Sequence, residues 1–467
     1  MEFQKHQQDK TEKSVEFDNS MTVKQEKWRI IKNVMVISFA FMLGFTAFQS
    51  MSALQSSINQ VHGLGTYSNV AIYGASIISA ILLPSFVIKH LTVKWTLTCC
   101  LFSYTIYICT NFYPEFYTIV PGGAIVGLAA GPLWTSKCTY LKQVAARYAT
   151  ILDVKLETIT ARFFGIFFFF NSSSFILGNL ISSLILTKDD DGSEPNKDFS
   201  TCGTNYCPDS SLPDDTTPVS NTAIFTLAGV YLALSVMAWV LMAVFVDPLS
   251  KFVGPDKVDS EGRKVEEKST FTLIKATTKQ MIKPDQLLII PITLWSGMEQ
   301  GFFFGDFTAG YISCAYGVDM VGWILLVFGA AGVIAAFFFG TIIKLTGRIP
   351  IYMLGASINY GVIVVLWLVD SYQDSKWLFY LLAALWGIAD AHWRAQINTI
   401  YGLLFPSDPE AAFSNYWLWR SVGFVIAFVL QVQVCIEAKL YALVLCLSLG
   451  MLGYFIIEWK QRTNEKK

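Results

Sequence analysis

Six charged side chains lie inside long apolar segments of this sequence, where an unpaired charge is costly. They are Lys137, Glu299, Asp306, Asp390, Arg394 and Arg420. A charge near the centre of a bilayer costs about 2.5–3.5 kcal/mol on insertion scales, so each needs a partner or a water-filled cavity. Three acids and three bases sum to zero, which favours internal pairing. A buried carboxyl group beside a cation is also suited to bind and release a proton, the chemistry that couples ion binding to a rearrangement.

Asp390 and Arg394 have the spacing that is most informative among these charges. Side chains four residues apart share one face of a helix, so we expect these two to pair. Two interpretations remain open: a structural salt bridge that locks the two halves of the molecule together, or a protonatable carboxylate beside a cation. At 1.5 Å per residue, Glu299 and Asp390 lie near the middle of their segments and Asp306 lies toward the outer end.

The elements that position these charges are predicted to be transmembrane helices. The 467 residues are 53% hydrophobic and 15% charged, whereas soluble domains carry about 25% charged residues. Apolar runs of about 18 residues or more are long enough to cross a hydrocarbon core about 30 Å thick. We predict an all-α polytopic membrane protein with twelve spans, at 33–56, 68–90, 94–112, 116–141, 161–187, 222–246, 287–311, 321–344, 349–369, 376–403, 411–435 and 438–459.

Basic residues are distributed unevenly between the two sides of these spans. The outer segments hold only Lys188, Lys197, Lys376 and Lys439. The positive-inside rule therefore predicts that both termini lie in the cytoplasm. The polar stretch 1–32 is expected to be a disordered cytoplasmic tail, and 460–467 a second, short cytoplasmic tail.

Two long connecting segments organise the chain. The outer loop 188–221 is acidic, so it could attract cations or a basic partner, or it could simply be a solvated loop. The cytoplasmic linker 247–286 separates a six-helix half at 33–246 from another at 287–459. This 6+6 arrangement resembles the major facilitator superfamily, whose halves are related by a pseudo-two-fold axis. In that fold helices 1, 4, 7 and 10 line the central cavity, and five of the six charges lie in predicted helices 4, 7 and 10.

Two cysteines in the outer loop are candidates for a disulfide. Cys202 and Cys207 lie five residues apart in an oxidising compartment, with Gly203 to ease a tight loop. We predict a bridge between them. A zinc site is the weaker alternative because the loop contains no histidine. Buried hydrophobic packing is the default interpretation for the cysteines inside helices: Cys99, Cys100, Cys109, Cys138, Cys435 and Cys446.

A row of small residues in the fourth predicted helix favours close helix packing. Gly123, Gly127 and Gly131 recur every four residues and form one smooth face. Lipid gives helices no hydrophobic reason to associate, so small residues that let backbones approach are typical of their interfaces. The less favoured alternative is a gating hinge, with Pro121 and Pro132 bending the helix.

Several short motifs together resemble the unc-ninety-three family, and within it the homologue A branch. The most specific is Leu385-Trp386-Gly387-Ile388-Ala389-Asp390-Ala391 followed by Trp393. Others are Gly131-Pro132-Leu133-Trp134, and Ser296-Gly297 with Gln300-Gly301-Phe302. The likeness covers about residues 33–459 in order. It implies a divergent major facilitator fold and a plasma-membrane protein that regulates potassium channels. Asp390 belongs to the matching motif, whereas Lys137, Arg394 and Arg420 do not.

Two classes of function therefore remain in competition. The resemblance implies a regulatory partner of a potassium-channel subunit, whereas the fold and charge placement favour a proton- or ion-coupled transporter of a small solute. An enzyme is not supported, since the sequence has no Gly-rich phosphate loop, no His/Cys metal spacing and no nucleophile elbow. We expect no cofactor, no metal and no nucleic-acid partner, and the lipid bilayer as the surrounding medium.

Overall fold

A computed structural model gives the architecture of the protein. It describes residues 22–59, 61–186, 201–208, 220–252, 270–369, 376–405 and 409–465. The regular structure in these ranges is helical throughout. Inside a bilayer the backbone has no water to bind, so an apolar run satisfies its own N–H and C=O groups by forming a helix. The all-α prediction is confirmed.

Five helices form the first half of the molecule. They are α1 (Val23–Ile58), α2 (Leu64–Thr110), α3 (Phe116–Leu152), α4 (Leu156–Leu186) and α5 (Asn221–Phe245). The 47-residue α2 contains both the second and the third predicted spans. These two parts are separated at Thr92, whose backbone is not helical (φ 62, ψ 162).

A short helix and six long ones follow. They are α6 (Thr270–Met281), α7 (Pro284–Phe302), α8 (Val318–Thr346), α9 (Arg348–Leu368), α10 (Lys376–Leu404), α11 (Pro409–Gln431) and α12 (Ile436–Glu465). After α7 the chain continues as a π-helical segment, Phe303–Ser313, and one last turn, Cys314–Tyr316. Gly317 adopts φ 100, a conformation open to glycine, and so allows the turn into α8.

Ten of the described helices are long and apolar enough to cross a membrane. The other two predicted spans, 94–112 and 376–403, are also helical. They are more polar, because the first begins with Lys94 among several threonines and the second carries Asp390 and Arg394. The count of twelve spans therefore remains a prediction.

The predicted amino-terminal tail is wrong for residues 23–32, which form the first turns of α1. Thr22 caps the helix and Gln25 completes the capping box. Arg29 pairs with Asp247 at 3.0 Å. These polar side chains are therefore used in capping and ion pairing and do not form a solvated tail. Residues 1–21 lie outside the described residues.

Two further boundaries differ from the sequence expectation. The predicted linker 247–286 contains α6, and the predicted tail at 460 is the last part of α12, which continues to Glu465. Lys460 pairs with Asp285 at the start of α7, at 2.7 Å. Of the outer loop 188–221, the structure describes 201–208 and the start of α5; the acidic stretches lie outside the described residues.

The three glycines of α3 lie against α2. A Cβ atom added at Gly123, Gly127 or Gly131 would come closer than 3.0 Å to a backbone carbonyl oxygen of α2. The two backbones are therefore in direct contact along this row. Such an approach is possible only without side chains on that face.

The two halves contact each other near one end of the bundle. We call it the disulfide end, because Cys202, Cys207, Cys314 and Cys435 lie there. The Ser56 hydroxyl donates to the carbonyl oxygen of Phe304 at 3.2 Å. Thr66 of α2 donates to Gln431 of α11 at 3.1 Å. Polar contacts therefore hold the first and second halves together at this end.

Candidate functional site

Close contact between α7 and α11 creates the environment of the buried charges. A Cβ atom at Gly297 would collide with the carbonyl oxygen of Arg420, and one at Gly423 would collide with that of Leu294. A Cβ at Gly301 would lie 2.6 Å from the methyl group of Ala427. The backbones thus cross without side chains between them, which places Glu299 and Gln300 of α7 directly beside α11.

A chain of hydrogen bonds connects α11, α7 and α10 across this crossing. Arg420 donates from one Nη atom to Gln300 Oε1 at 2.5 Å and from the other to the Tyr416 hydroxyl at 2.9 Å. Gln300 Nε2 donates in turn to Asp390 Oδ1 at 2.8 Å. The amide of Gln300 therefore links a cation to a carboxylate without direct contact between them. These residues and their polar neighbours on the same three helices are called the polar cluster: Glu299, Gln300, Trp386, Asp390, Arg394 and Arg420.

Glu299 is the most deeply buried acid of the polar cluster. Its side chain is 0% exposed, and one carboxyl oxygen accepts a hydrogen bond from Trp386 Nε1. The other oxygen, Oε1, accepts no hydrogen bond from the described residues. Asp390 lies one helical turn after Trp386 on α10 and accepts a hydrogen bond from Gln300, the residue next to Glu299. Two buried acids thus lie at the same contact between α7 and α10.

Asp390 and Arg394 form the ion pair that their spacing suggests. Arg394 Nη2 lies 2.7 Å from Asp390 Oδ2. The Asp390 side chain is 1% exposed, whereas that of Arg394 is 50% exposed. The pair therefore connects the buried cluster to an open surface. An exposed guanidinium group in the body of a transmembrane helix requires water around it.

The residues of the specific motif on α10 have distinct structural roles. Trp386 and Asp390 lie four residues apart and share the face that meets α7. A Cβ atom at Gly387 would collide with the carbonyl oxygen of Phe328 on α8. Trp393 Nε1 donates to Asn359 Oδ1 of α9 at 2.7 Å. The motif thus fixes α10 against three neighbouring helices.

Asp306 lies apart from the polar cluster, in the π-helical segment near the disulfide end. Its carboxylate accepts a hydrogen bond from Lys439 of α12 at 2.5 Å, and both side chains are almost fully buried. From the sequence, Lys439 is counted with the outer segments, because it lies at the outer end of the last predicted span. The ion pair with this buried lysine compensates the charge of Asp306, so Asp306 needs none of the other five charges as a partner.

Lys137 also lies apart from the polar cluster. Its ammonium group is 4.3 Å from the ring centre of Phe167 and 4.8 Å from that of Trp134. Phe164 and Phe168 lie within 5.3 Å. Lys137 is 1% exposed, so its contacts are mainly cation–π interactions within the first half. The structure therefore does not join Lys137 to the charges of α7, α10 and α11.

The predicted bridge between Cys202 and Cys207 is wrong. Cys202 is bonded to Cys314, after the π-helical segment, with a Cα–Cα distance of 5.7 Å. Cys207 is bonded to Cys435, between α11 and α12, with a Cα–Cα distance of 4.1 Å. The 3₁₀ turn Gly203–Asn205 separates the two loop cysteines, so each reaches a different helix end.

These disulfides fasten a segment of the connection between α4 and α5 to the second half of the molecule. We call residues 201–208 the strap. Tyr206 contacts Gly310 in the π-helical segment, where a Cβ would lie 3.1 Å from its ring. Its carbonyl oxygen accepts a hydrogen bond from the Ile436 backbone N–H at 3.0 Å. The strap thus covers the end of the π-helical segment and the start of α12, close to Asp306 and Lys439.

The correct cysteine partners had a signal in the sequence. Cys314 lies just beyond the seventh predicted span and Cys435 at the outer end of the eleventh, on the same side as the loop. An even number of cysteines on one oxidising side indicates a set of disulfides, and four cysteines allow three connectivities. Lys439 had a weaker signal, since few lysines lie on that side. Gln300 and Trp386 have uncharged side chains, so a search for charges could not find them.

The fold resembles that of known transporters. The nucleoside transporter NupG superposes with a TM-score of 0.61 at 13% sequence identity, over 91% of this chain and 97% of that one. A match at this identity concerns the fold alone. Fold and helices together define a multi-pass membrane protein of the major facilitator type, and the predicted fold class is confirmed.

Sequence comparison identifies the family. The model of the family described as "Ion channel regulatory protein UNC-93" matches residues 54–456. The chain is 38% identical over 441 residues to protein unc-93 homolog A of Xenopus laevis, covering 94% of this chain and 95% of that one. It is 31% identical over 448 residues to the Caenorhabditis elegans protein named "Putative potassium channel regulatory protein unc-93". This match covers 92% of this chain and 61% of that one.

The chain belongs to the UNC-93 family of ion channel regulatory proteins, as its motifs indicated. This family is one of channel regulators, and the fold resembles transporters and not enzymes. Three residues of the polar cluster, Gln300, Trp386 and Asp390, belong to the motifs on α7 and α10 that carried the resemblance.

Proposed function

We propose that this protein is a regulatory partner of potassium channels in the plasma membrane, with both termini in the cytoplasm. The observation that carries the proposal is the family match over residues 54–456. The name of the C. elegans relative supplies the potassium channel. The uneven distribution of lysine and arginine supplies the orientation.

The geometry of the polar cluster agrees with a regulatory role. Arg420, Gln300 and Asp390 satisfy one another on three adjacent helices. A hydrogen-bonded chain of this kind fixes the relative positions of helices, because a displacement that breaks it leaves buried polar groups unpaired. The protein would then present a defined membrane-facing surface to a channel.

Co-expression tests the proposal. Potassium currents of several structural channel classes are measured with and without the full-length protein at matched surface levels. We expect the current amplitude or voltage dependence of at least one class to change. An unrelated multi-pass protein, expressed at the same level, is the control. Unchanged currents across all classes would contradict the proposal.

A proton- or ion-coupled transporter of a small solute is the second candidate. The observation that favours it is the exposed Arg394 joined to the buried Asp390, because this pair connects a buried carboxylate to a water-accessible surface. In this case the contacts between the halves at the disulfide end would close one side of an alternating-access pathway.

Replacing Asp390 with asparagine tests the transporter. The change keeps the shape but removes the charge, so uptake of a transported solute should fall at least tenfold while surface expression stays normal. Asp285→Asn is the control, because Asp285 lies near the surface in a pair with Lys460. Uptake that survives Asp390→Asn unchanged would exclude this assignment.

No catalytic role is proposed for these residues. The described residues contain no group of three or more His, Cys, Asp or Glu side chains arranged to hold a metal ion. The partners that we propose are the bilayer, a potassium-channel subunit and, for the second candidate, a small solute or a proton.

A further inference from the structure

The two acids of the polar cluster differ in how their charge is compensated. Asp390 forms an ion pair with Arg394 and accepts a hydrogen bond from Gln300. Glu299 accepts from Trp386, a neutral donor, and forms no ion pair with a described cation. One carboxylate therefore has a cation in contact, whereas its neighbour has none.

Two neighbouring carboxylates cannot both be ionised without a large electrostatic cost, particularly when neither is exposed to water. Glu299 is 0% exposed and Asp390 is 1% exposed. Arg420 of α11 donates its hydrogen bonds to Gln300 and Tyr416. A proton on one acid removes the repulsion and supplies the hydrogen bond that the pair lacks.

The buried oxygen of Glu299 is the position where this proton fits. Oε1 accepts no hydrogen bond from the described residues. Asp390 lies one helical turn after Trp386, which binds the other oxygen of Glu299. A protonated Glu299 would donate to Asp390, whose second oxygen stays paired with Arg394. Each of the two carboxyl groups would then have at least two partners.

We propose that Glu299 and Asp390 form a proton-binding site in which Glu299 carries the proton and donates it in a hydrogen bond to the Asp390 carboxylate. The proton reaches the site from the exposed side of Arg394. Its release puts a second negative charge between α7 and α10. The repulsion would act on the contact between α7 and α10 that the Trp386–Glu299 and Gln300–Asp390 hydrogen bonds hold, so the site makes the packing of these two helices sensitive to pH.

The other ionisable groups around the site are already paired or turned away. Those facing it are Arg394 from α10, Arg420 and Tyr416 from α11, and Tyr73 from α2, which lies near Arg420. Asp306, in the π-helical segment that continues α7, forms an ion pair with Lys439 of α12. His392 lies against Gly355 of α9. From α8 the neighbour is Phe328, which is apolar.

Infrared difference spectroscopy tests the site directly. The full-length protein, purified in lipid nanodiscs, is titrated with acid and base while the C=O stretch of a protonated carboxyl group is followed. We expect one buried carboxyl group to be protonated at neutral pH in the wild type. Glu299→Gln should remove this band, because glutamine reproduces the donor of the protonated acid but cannot ionise.

Asp390→Asn should shift the titration of the same band in a defined direction. Without the neighbouring negative charge Glu299 ionises more easily, so its affinity for the proton should fall at least tenfold, which is one pH unit. Asp285→Asn, in a surface pair with Lys460, should change neither the band nor its midpoint.

The proposal fails if the wild type shows no protonated carboxyl band at neutral pH, or if the band persists in Glu299→Gln. Should Glu299→Gln not fold, the wild-type band and its shift in Asp390→Asn decide the matter. The readout is independent of currents and of uptake, so failure here leaves channel regulation and transport untouched. A protonated carboxyl band that behaves as expected would identify the proton-coupling site that the transporter, the second candidate function, requires.

Discussion

Gly297→Ala is expected to prevent most of the protein from folding. The new methyl group would collide with the backbone carbonyl oxygen of Arg420, and a backbone cannot move aside as a flexible side chain can. Overpacking of a core typically costs about 1–3 kcal/mol, and we expect the upper end of that range or more. The amount of monodisperse protein from matched membranes, measured by fluorescence-detected gel filtration, should fall at least tenfold.

Gly361→Ala is the matched control for this change. Gly361 lies in α9, and a Cβ atom there would meet nothing within 4 Å. Alanine is the better helix former by about 1 kcal/mol, so this variant should be at least as stable as the wild type. Equal yields of the two variants would contradict the close crossing of α7 and α11 and, with it, the position of the polar cluster.

Cys314→Ser is expected to destabilise the protein by about 2–4 kcal/mol, the range for removal of a disulfide. The substitution removes the disulfide between Cys314 and Cys202 and so releases one end of the strap. Cys207 stays bonded to Cys435. Cys202→Ser should have the same effect, and the double variant should be no worse than either single one, since all three lose one bond. Thermal unfolding in detergent measures these differences.

Peptide mapping without reductant identifies the pairs themselves. We expect one crosslinked peptide that contains Cys202 with Cys314 and another that contains Cys207 with Cys435. Cys99→Ser is the control, because Cys99 is an exposed free cysteine. A peptide in which Cys202 is joined to Cys207 would show that the strap is not fastened to α7 and α12.

The fold was largely predictable because its determinants are local. An apolar run about 20 residues long forms a helix in lipid whatever its neighbours are, and the row Gly123, Gly127 and Gly131 marks a face for close packing. The short spacing between Asp390 and Arg394 likewise indicates one shared helix face. These features depend on residues near each other in the chain.

The composition of the site depends on contacts between distant residues, and the sequence showed only part of it. Lys439 lies 133 positions from Asp306, and Cys202 is separated from Cys314 by 112. Nothing in a single sequence brings such positions together. Gln300 was visible only as part of a family motif, and its role as the link between Arg420 and Asp390 follows from the crossing of α7 and α11.

Boundaries were least predictable where polar residues stabilise a helix beyond the apolar run. α1 begins at Val23 because Thr22 caps it and Arg29 pairs with Asp247. Hydropathy alone reads these residues as solvated. At Thr92 the second and third predicted spans meet directly, since a single non-helical residue is enough to separate the two helical parts.

The most direct test of the regulatory role is affinity purification of the full-length protein from native membranes in mild detergent, with quantification of the proteins that co-purify. We expect a potassium-channel subunit at close to one copy per chain, retained through gel filtration. Recovery of the chain without any stoichiometric channel subunit, while its disulfides and monodispersity are intact, would contradict channel regulation. Transport of a small solute would then be the function to examine.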